Sequence, residues 1–122
     1  MFTGLSTILS TPDLARLQEF YTAGLGAEVT YQFPPEGDPG YVALELGDAR
    51  LGLAADPASA AATGPQRHAL WLYCTDADAA VERLVAAGGT VVNPPTDMPW
   101  GERVADLLDP DGNLLHVAHP LD

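Results

Sequence analysis

Trp71 and Tyr73 stand two residues apart in the run Ala69 to Cys74, so a strand there would turn both rings to one face. Two aromatic faces side by side can stack a planar ligand with little rotamer entropy to lose, although the same pair can also fill a closed core. Trp100 lies in a turn-rich stretch, Pro94 to Gly101, where core packing alone does not call for a tryptophan; a ligand or subunit contact is expected. Tyr31 and Phe33 end another alternating run beside the Pro-rich loop Pro34 to Gly40 and suit a pocket rim. His116 sits in the last apolar run, either as a ligand contact or as a lone hydrogen-bonding core histidine. These types support recognition of a small molecule better than covalent chemistry. The chain has no lysine, which excludes a side-chain Schiff base. Its single cysteine, Cys74, excludes an internal disulfide, leaves too little sulfur for a thiolate metal site, and reads as an inert buried thiol. His68, His116 and His119 fall near two strand ends, but no nucleophile, base and orienting group stand out as a set, so no catalytic residue is assigned.

The elements that must position these residues fall into two halves with the same grammar. In the first, Leu5 to Ser10 alternates as a strand, and Thr11-Pro12-Asp13 supplies the cap of a helix. Leu14, Leu17 and Tyr21, with Phe20 beside it, share one helical face, and Gly24 and Gly26 end the helix. Strand-like runs follow at Ala27 to Phe33, Tyr41 to Leu46 and Ala49 to Ala54. In the second half, Ala69 to Cys74 is a strand, Thr75-Asp76 the cap, and Ala77, Ala80, Val81, Leu84 and Val85 a helical stripe stopped by Gly88-Gly89. Strands at Thr90 to Asn93, Arg103 to Leu108 and Asn113 to Ala118 complete it. The repeat distance, read from Gly26 to Gly89, is about 63 residues. Within the final pair, Asp109-Pro110-Asp111-Gly112 is a tight turn, Pro presetting φ and Gly accepting a positive φ. Arg103 is expected to pair with Asp106 or Glu102 and hold this hairpin.

At 122 residues the length suits one domain, residues 1–122, made of a module at 1–54, a linker at 55–67 rich in Ala, Pro, Gly and Ser, and a module at 68–122. Hydrophobic content of 47% with 12 Gly and 11 Pro fits a turn-rich α+β protein and excludes a disordered one. No apolar run is long enough to span a membrane and no leader pattern opens the chain, so a cytoplasmic protein is expected. The net charge of −12 argues against nucleic acid and against anionic membrane surfaces. The plain reading of that acidity is solubility; it would also attract a cationic ligand.

One string goes further. Trp100-Gly101-Glu102-Arg103, five residues, then Asp109-Pro110-Asp111-Gly112-Asn113 resembles the C-terminal signature of the vicinal-oxygen-chelate superfamily of glyoxalases, ring-cleaving dioxygenases and bleomycin-resistance proteins. The segment Ser10-Thr11-Pro12-Asp13-Leu14 to Phe20-Tyr21 is similar to that family's first strand-to-helix junction, and the internal repeat agrees. The resemblance implies two tandem βαβββ modules whose half-sheets form a cupped, mixed, mostly antiparallel sheet pair around one cavity. Strand parity would then turn Ser6, Ile8 and Ser10, Arg50, Gly52 and Ala54, Ala69, Trp71 and Tyr73, and Leu114, His116 and Ala118 toward the cavity.

Metal-dependent members place one His or Glu on each of four strands. Carried over, those positions are Ser6, Gly52, Ala69 and His116, of which only His116 is a competent ligand. His68 is one residue from a ligand position and points the other way by alternation. No metal and no other cofactor are therefore expected. What remains resembles the bleomycin-resistance branch: acidic, drug-sequestering homodimers without the ligand set. The resemblance thus implies binding of an antibiotic or other natural product, aromatic or cationic, by Trp71, Tyr73, Trp100 and His116, with Tyr31 and Phe33 at the rim. A homodimer is expected also because two half-barrels leave sheet edges exposed. The alternative is a metal-dependent lyase, isomerase or ring-cleaving dioxygenase.

Overall fold

A computed structural model describes residues 1–61 and 63–122; residue 62, in the expected linker, lies outside the described residues. The chain divides into two compact units, Met1–Ala60 and Ala61–Asp122. Each holds one four-stranded mixed sheet and one main helix, in the same βαβββ order.

In the first unit, β1 (Thr7–Thr11) leads into α1 (Leu14–Glu19), and β2 (Glu28–Phe33), β3 (Tyr41–Leu46) and β4 (Ala49–Ala55) follow. The sheet runs β1-β4-β3-β2, with β1 parallel to β4 and the other pairs antiparallel. Asp13 caps α1: its carboxylate accepts from the Arg16 N–H at 3.1 Å, while the buried Thr11 hydroxyl accepts from the Asp13 N–H at 3.1 Å. The helix then widens into a π-helical turn at Phe20–Gly24. Phe20 and Tyr21 are both fully buried there, edge to face at 5.0 Å, together with Leu14 and Leu17. Val42, Leu44 and Leu53 supply the buried side of the sheet.

The second unit repeats the plan with β5 (Leu70–Tyr73), α2 (Ala77–Ala86), β6 (Thr90–Asp97), β7 (Glu102–Leu108) and β8 (Leu114–Pro120), in the sheet order β5-β8-β7-β6. Asp76 caps α2 through the Ala79 N–H at 3.2 Å, and His119 Nδ1 accepts the Ala77 N–H at 2.7 Å. Ala77, Val81 and Leu84 of the helix are buried, as are Ala105, Leu107, Leu115 and Val117 on one parity of β7 and β8. The opposite parity forms the open face.

Asp109 organises the β7–β8 turn. Its Oδ1 accepts from the N–H groups of Asp111 and Asn113, each at 2.9 Å, and its Oδ2 from the Asn113 amide at 2.8 Å. Gly112, at φ 83, takes the left-handed conformation the reversal requires. Gln66, inside the expected linker, reaches this turn: its amide donates to the Gly112 carbonyl and accepts from the Leu114 N–H.

Two expectations need correction. Pro94 to Asp97 is not a turn but continues β6, with register shifts on either side of Asn93. β6 is an edge strand, where a missing proline N–H costs no ladder bond and a bulge absorbs the mismatch. Arg103 pairs with neither Asp106 nor Glu102. It binds Asp97 at 2.9 Å and Asp78 of α2 at 3.1 Å, because odd spacings put Glu102 and Asp106 on the other face of β7. Both carboxylates raise the Arg103 pKa, the Asp97 hydrogen bond most. Smaller differences lie at strand ends: Ser6 precedes β1, Ala69 precedes β5, and Ala55 closes β4.

Candidate functional site

The open face of the second sheet carries one row of chemistry. Register places Trp71 opposite His116, His116 opposite Asp106, and Asp106 opposite Asn93, across β5, β8, β7 and β6. Neighbours in such a row share a face, and here they touch. The Trp71 and His116 rings lie 5.1 Å apart, tilted by 40°. His116 Nδ1 is 2.6 Å from Asp106 Oδ1, and the Asn93 amide donates to Asp106 Oδ2 at 2.8 Å. Both members of the His116–Asp106 pair are about three-quarters buried, with side-chain exposures of 26% and 25%.

The adjoining row adds Tyr73, whose ring lies 6.3 Å from that of Trp71. Its phenol is held protonated to higher pH than usual, first by the Glu102 carboxylate as hydrogen-bond acceptor, then by desolvation and by the Glu102 charge; Trp71 pulls the other way. Glu102 Oε1 also accepts the Trp100 indole N–H at 2.7 Å. Trp71, Tyr73 and His116 are thus one group of neighbouring rings, and Glu102, bonded to Trp100, is the acid that acts on Tyr73. The three larger rings are 43%, 65% and 59% exposed. In the signature string, Trp100 and Glu102 serve this face, whereas Arg103 clamps α2 to the end of β6.

Tyr31 and Phe33 belong to the first unit, on the open face of its sheet. Register pairs Tyr31 with Ala43 and Phe33 with Tyr41, and the Tyr31 and Tyr41 rings are 6.2 Å apart. Beside Phe33, the Gln32 amide donates to the carbonyls of Pro34 and Pro35 at 3.2 and 3.3 Å, pinning the Pro-rich loop.

The positions that the family resemblance reserves for metal ligands do not fit a metal. Gly52 lies beneath Tyr41: a Cβ there would meet the Tyr41 hydroxyl at 2.6 Å and its ring at 2.9 Å. Ser6 and Ala69 offer no imidazole or carboxylate, and His116 already spends Nδ1 on Asp106. Among the described residues no three His, Cys, Asp or Glu side chains come together in a metal-holding group. His119 is occupied at the N-terminus of α2. The Cys74 thiol donates to the Ala118 carbonyl, and burial raises its pKa.

The sequence singles out neither Asn93 nor Tyr41, and offers Asp106 and Glu102 only as partners for Arg103. Neither Asp106 nor Asn93 had a usable signal. Counting outward from the Asp109–Gly112 turn sets Asp106 against Leu115, whereas the observed register pairs Leu108 with Leu114 and Asp106 with His116, because the loop closes on Asp109 and Asn113; for Asn93 the register shifts of β6 break the count.

Comparison with known proteins fits this geometry. Over 109 residues the chain is 34% identical to CFP32 of Mycobacterium tuberculosis, whose name carries a provisional assignment as a glyoxylase; the match covers 89% of this chain and 40% of that protein. The chain therefore spans about two-fifths of that relative's length. A shorter stretch of 37 residues, 30% of this chain and 13% of the relative, is 60% identical to the anthracycline biosynthesis protein DnrV of Streptomyces peucetius. Among solved structures, the hypothetical protein SA1046 of S. aureus superposes with a TM-score of 0.78 at 24% identity, covering 98% of each chain. The family model of the glyoxalase/bleomycin resistance protein/dioxygenase superfamily matches residues 5–117, nearly the whole of two βαβββ units, and the chain belongs to that superfamily.

Proposed function

We propose that this chain binds a planar aromatic natural product by stacking, without a metal, and confers resistance or self-protection by sequestering it. The observation that carries this reading is the group of exposed rings Trp71, Tyr73 and Trp100, with the partly buried His116 beside Trp71, on one sheet face. Exposed aromatic rings gain most from a flat partner, since dispersion and desolvation scale with the area covered. The similarity to an anthracycline biosynthesis protein supports a polycyclic ligand class, and the net charge of −12 favours a cationic one. Tyr31 and Phe33 act as rim residues in this reading. The working form is a cytoplasmic homodimer, which would cover apolar surface that one copy leaves exposed.

A second reading, a metal-dependent lyase, isomerase or dioxygenase, draws on the glyoxylase name of CFP32. Two measurements separate them. A thermal-shift screen of anthracyclines beside bleomycin should give one class that stabilises the protein, by about 2.7 kcal/mol at a ligand concentration near 100 Kd. Elemental analysis of protein purified without chelator should find no stoichiometric transition metal. A bound metal, or turnover restored by Ni, Zn or Fe, overturns the sequestration reading.

A further inference from the structure

We propose that the chain Asn93–Asp106–His116 fixes His116 Nε2 as a bare hydrogen-bond acceptor, so that the site takes aromatic ligands that donate a hydroxyl proton to it, phenols in preference to their ethers. The inference rests on the stacking function proposed above and names which aromatic ligands that face selects. Asp106 Oδ1 lies 2.6 Å from His116 Nδ1, and a carboxylate is an acceptor only, so the imidazole proton must sit on Nδ1. The Asn93 amide donates to the second carboxylate oxygen at 2.8 Å and fixes its orientation. In the neutral imidazole, whose one proton is spent in this way, Nε2 carries a lone pair. Among the described residues nothing hydrogen-bonds to Nε2, and it is not among the side-chain atoms sealed from solvent without a partner. Trp71, 5.1 Å from the imidazole, supplies the ring face against which a flat ligand would lie with its edge at Nε2. A phenol there donates its proton to Nε2. An aryl methyl ether offers only acceptor oxygen to that lone pair and also desolvates it, a loss without compensation.

The test uses 2-naphthol and 2-methoxynaphthalene, two bicyclic probes that differ only in that proton's replacement by a methyl group, with nitrogen-15 labelled protein at pH about 8.5, where an ordinary imidazole is neutral. Ring-nitrogen shifts should show Nδ1 protonated and Nε2 bare in the free protein. 2-Naphthol should bind roughly tenfold or more tightly than the ether and move the Nε2 resonance. Asp106→Asn turns an amide N–H toward Nδ1, placing the ring proton on Nε2, and should abolish or invert the preference. Adding Asn93→Asp to that variant puts an acceptor where the Asn93 donor stood, turns the carbonyl of the new amide at position 106 to Nδ1, and should recover the preference. Such rescue is not expected if Asp106 only stiffens the sheet. Protonated Nε2 in the free protein, equal affinity for the two probes, or a naphthol that leaves His116 unmoved overturns the inference. Failure of anthracyclines and bleomycin to bind instead overturns the proposed function, and is read separately from the naphthol pair.

Discussion

Asp109 bears more of the second unit than a turn residue usually does, since one buried carboxylate satisfies two backbone N–H groups and a side-chain amide. Asp109→Ala should cost about 2–4 kcal/mol, because hydrogen bonds to a charged group contribute about 1.5–3 kcal/mol each and do not add fully. Urea unfolding should show the loss, with Asp109→Asn falling between the two. Tyr73 makes a pH prediction. Its pKa is raised, so the Glu102 contact stabilises the fold below the ordinary phenol pKa and is lost as pH rises through the higher folded value. Subtracting the alkaline absorbance titration of Tyr73→Phe from that of the parent should isolate a late-ionising phenol, and Glu102→Gln should bring it down. Alternation put Cys74 on the helix side of its strand as a buried thiol; it is half-buried instead, with its thiol bonded to the Ala118 carbonyl and its pKa raised by desolvation. The same alternation made Trp71 and Tyr73 legible as a pair on one face. Their partners Glu102 and Asp106 were not, because a carboxylate's type does not distinguish a surface charge from an orienting group.

At the scale of elements, strand and helix order could be read almost throughout, since apolar periodicity and Gly stops repeat in both halves. The missed features of the elements themselves share one physical cause: each is a local irregularity that a strict period does not encode. Prolines 94 and 95 read as a break, yet an outermost strand tolerates them. The π-helical turn at Phe20–Gly24 leaves no mark in a periodicity built on 3.6 residues per turn, although it lets the adjacent Phe20 and Tyr21 both point inward. Arg103 is the clearest element-level device, tying α2 to β6 through Asp78 and Asp97. Both carboxylates are more than half exposed, so Arg103→Ala should cost little global stability in urea unfolding. Hydrogen exchange should nevertheless quicken selectively in the first turn of α2. Uniform acceleration across the second unit would mean that Arg103 supports the core instead.

The whole molecule is acidic, and each of its two units turns aromatic side chains to solvent: Tyr31 and Phe33 in one, Trp71, Tyr73 and Trp100 in the other. The doubled plan was legible from the repeat of about 63 residues. Among the described residues no helix is long and apolar enough to cross a membrane. Light scattering on the eluted protein should give twice 12.8 kDa at micromolar concentration, and a monomer mass would count against the dimer. If the net charge of −12 steers ligand, affinity for a cationic polycycle should fall as salt rises from about 0.01 to 0.15 M, over which the screening length shrinks from about 30 to 8 Å. The central claim, that stacking on Trp71 holds the ligand, is tested most directly by calorimetric titration of an anthracycline into the parent protein, Trp71→Phe and Trp71→Ala. Trp71→Ala should lose about 1–3 kcal/mol of binding, roughly 5- to 150-fold in Kd, with Trp71→Phe between it and the parent. Tight binding that all three proteins share equally would contradict the account.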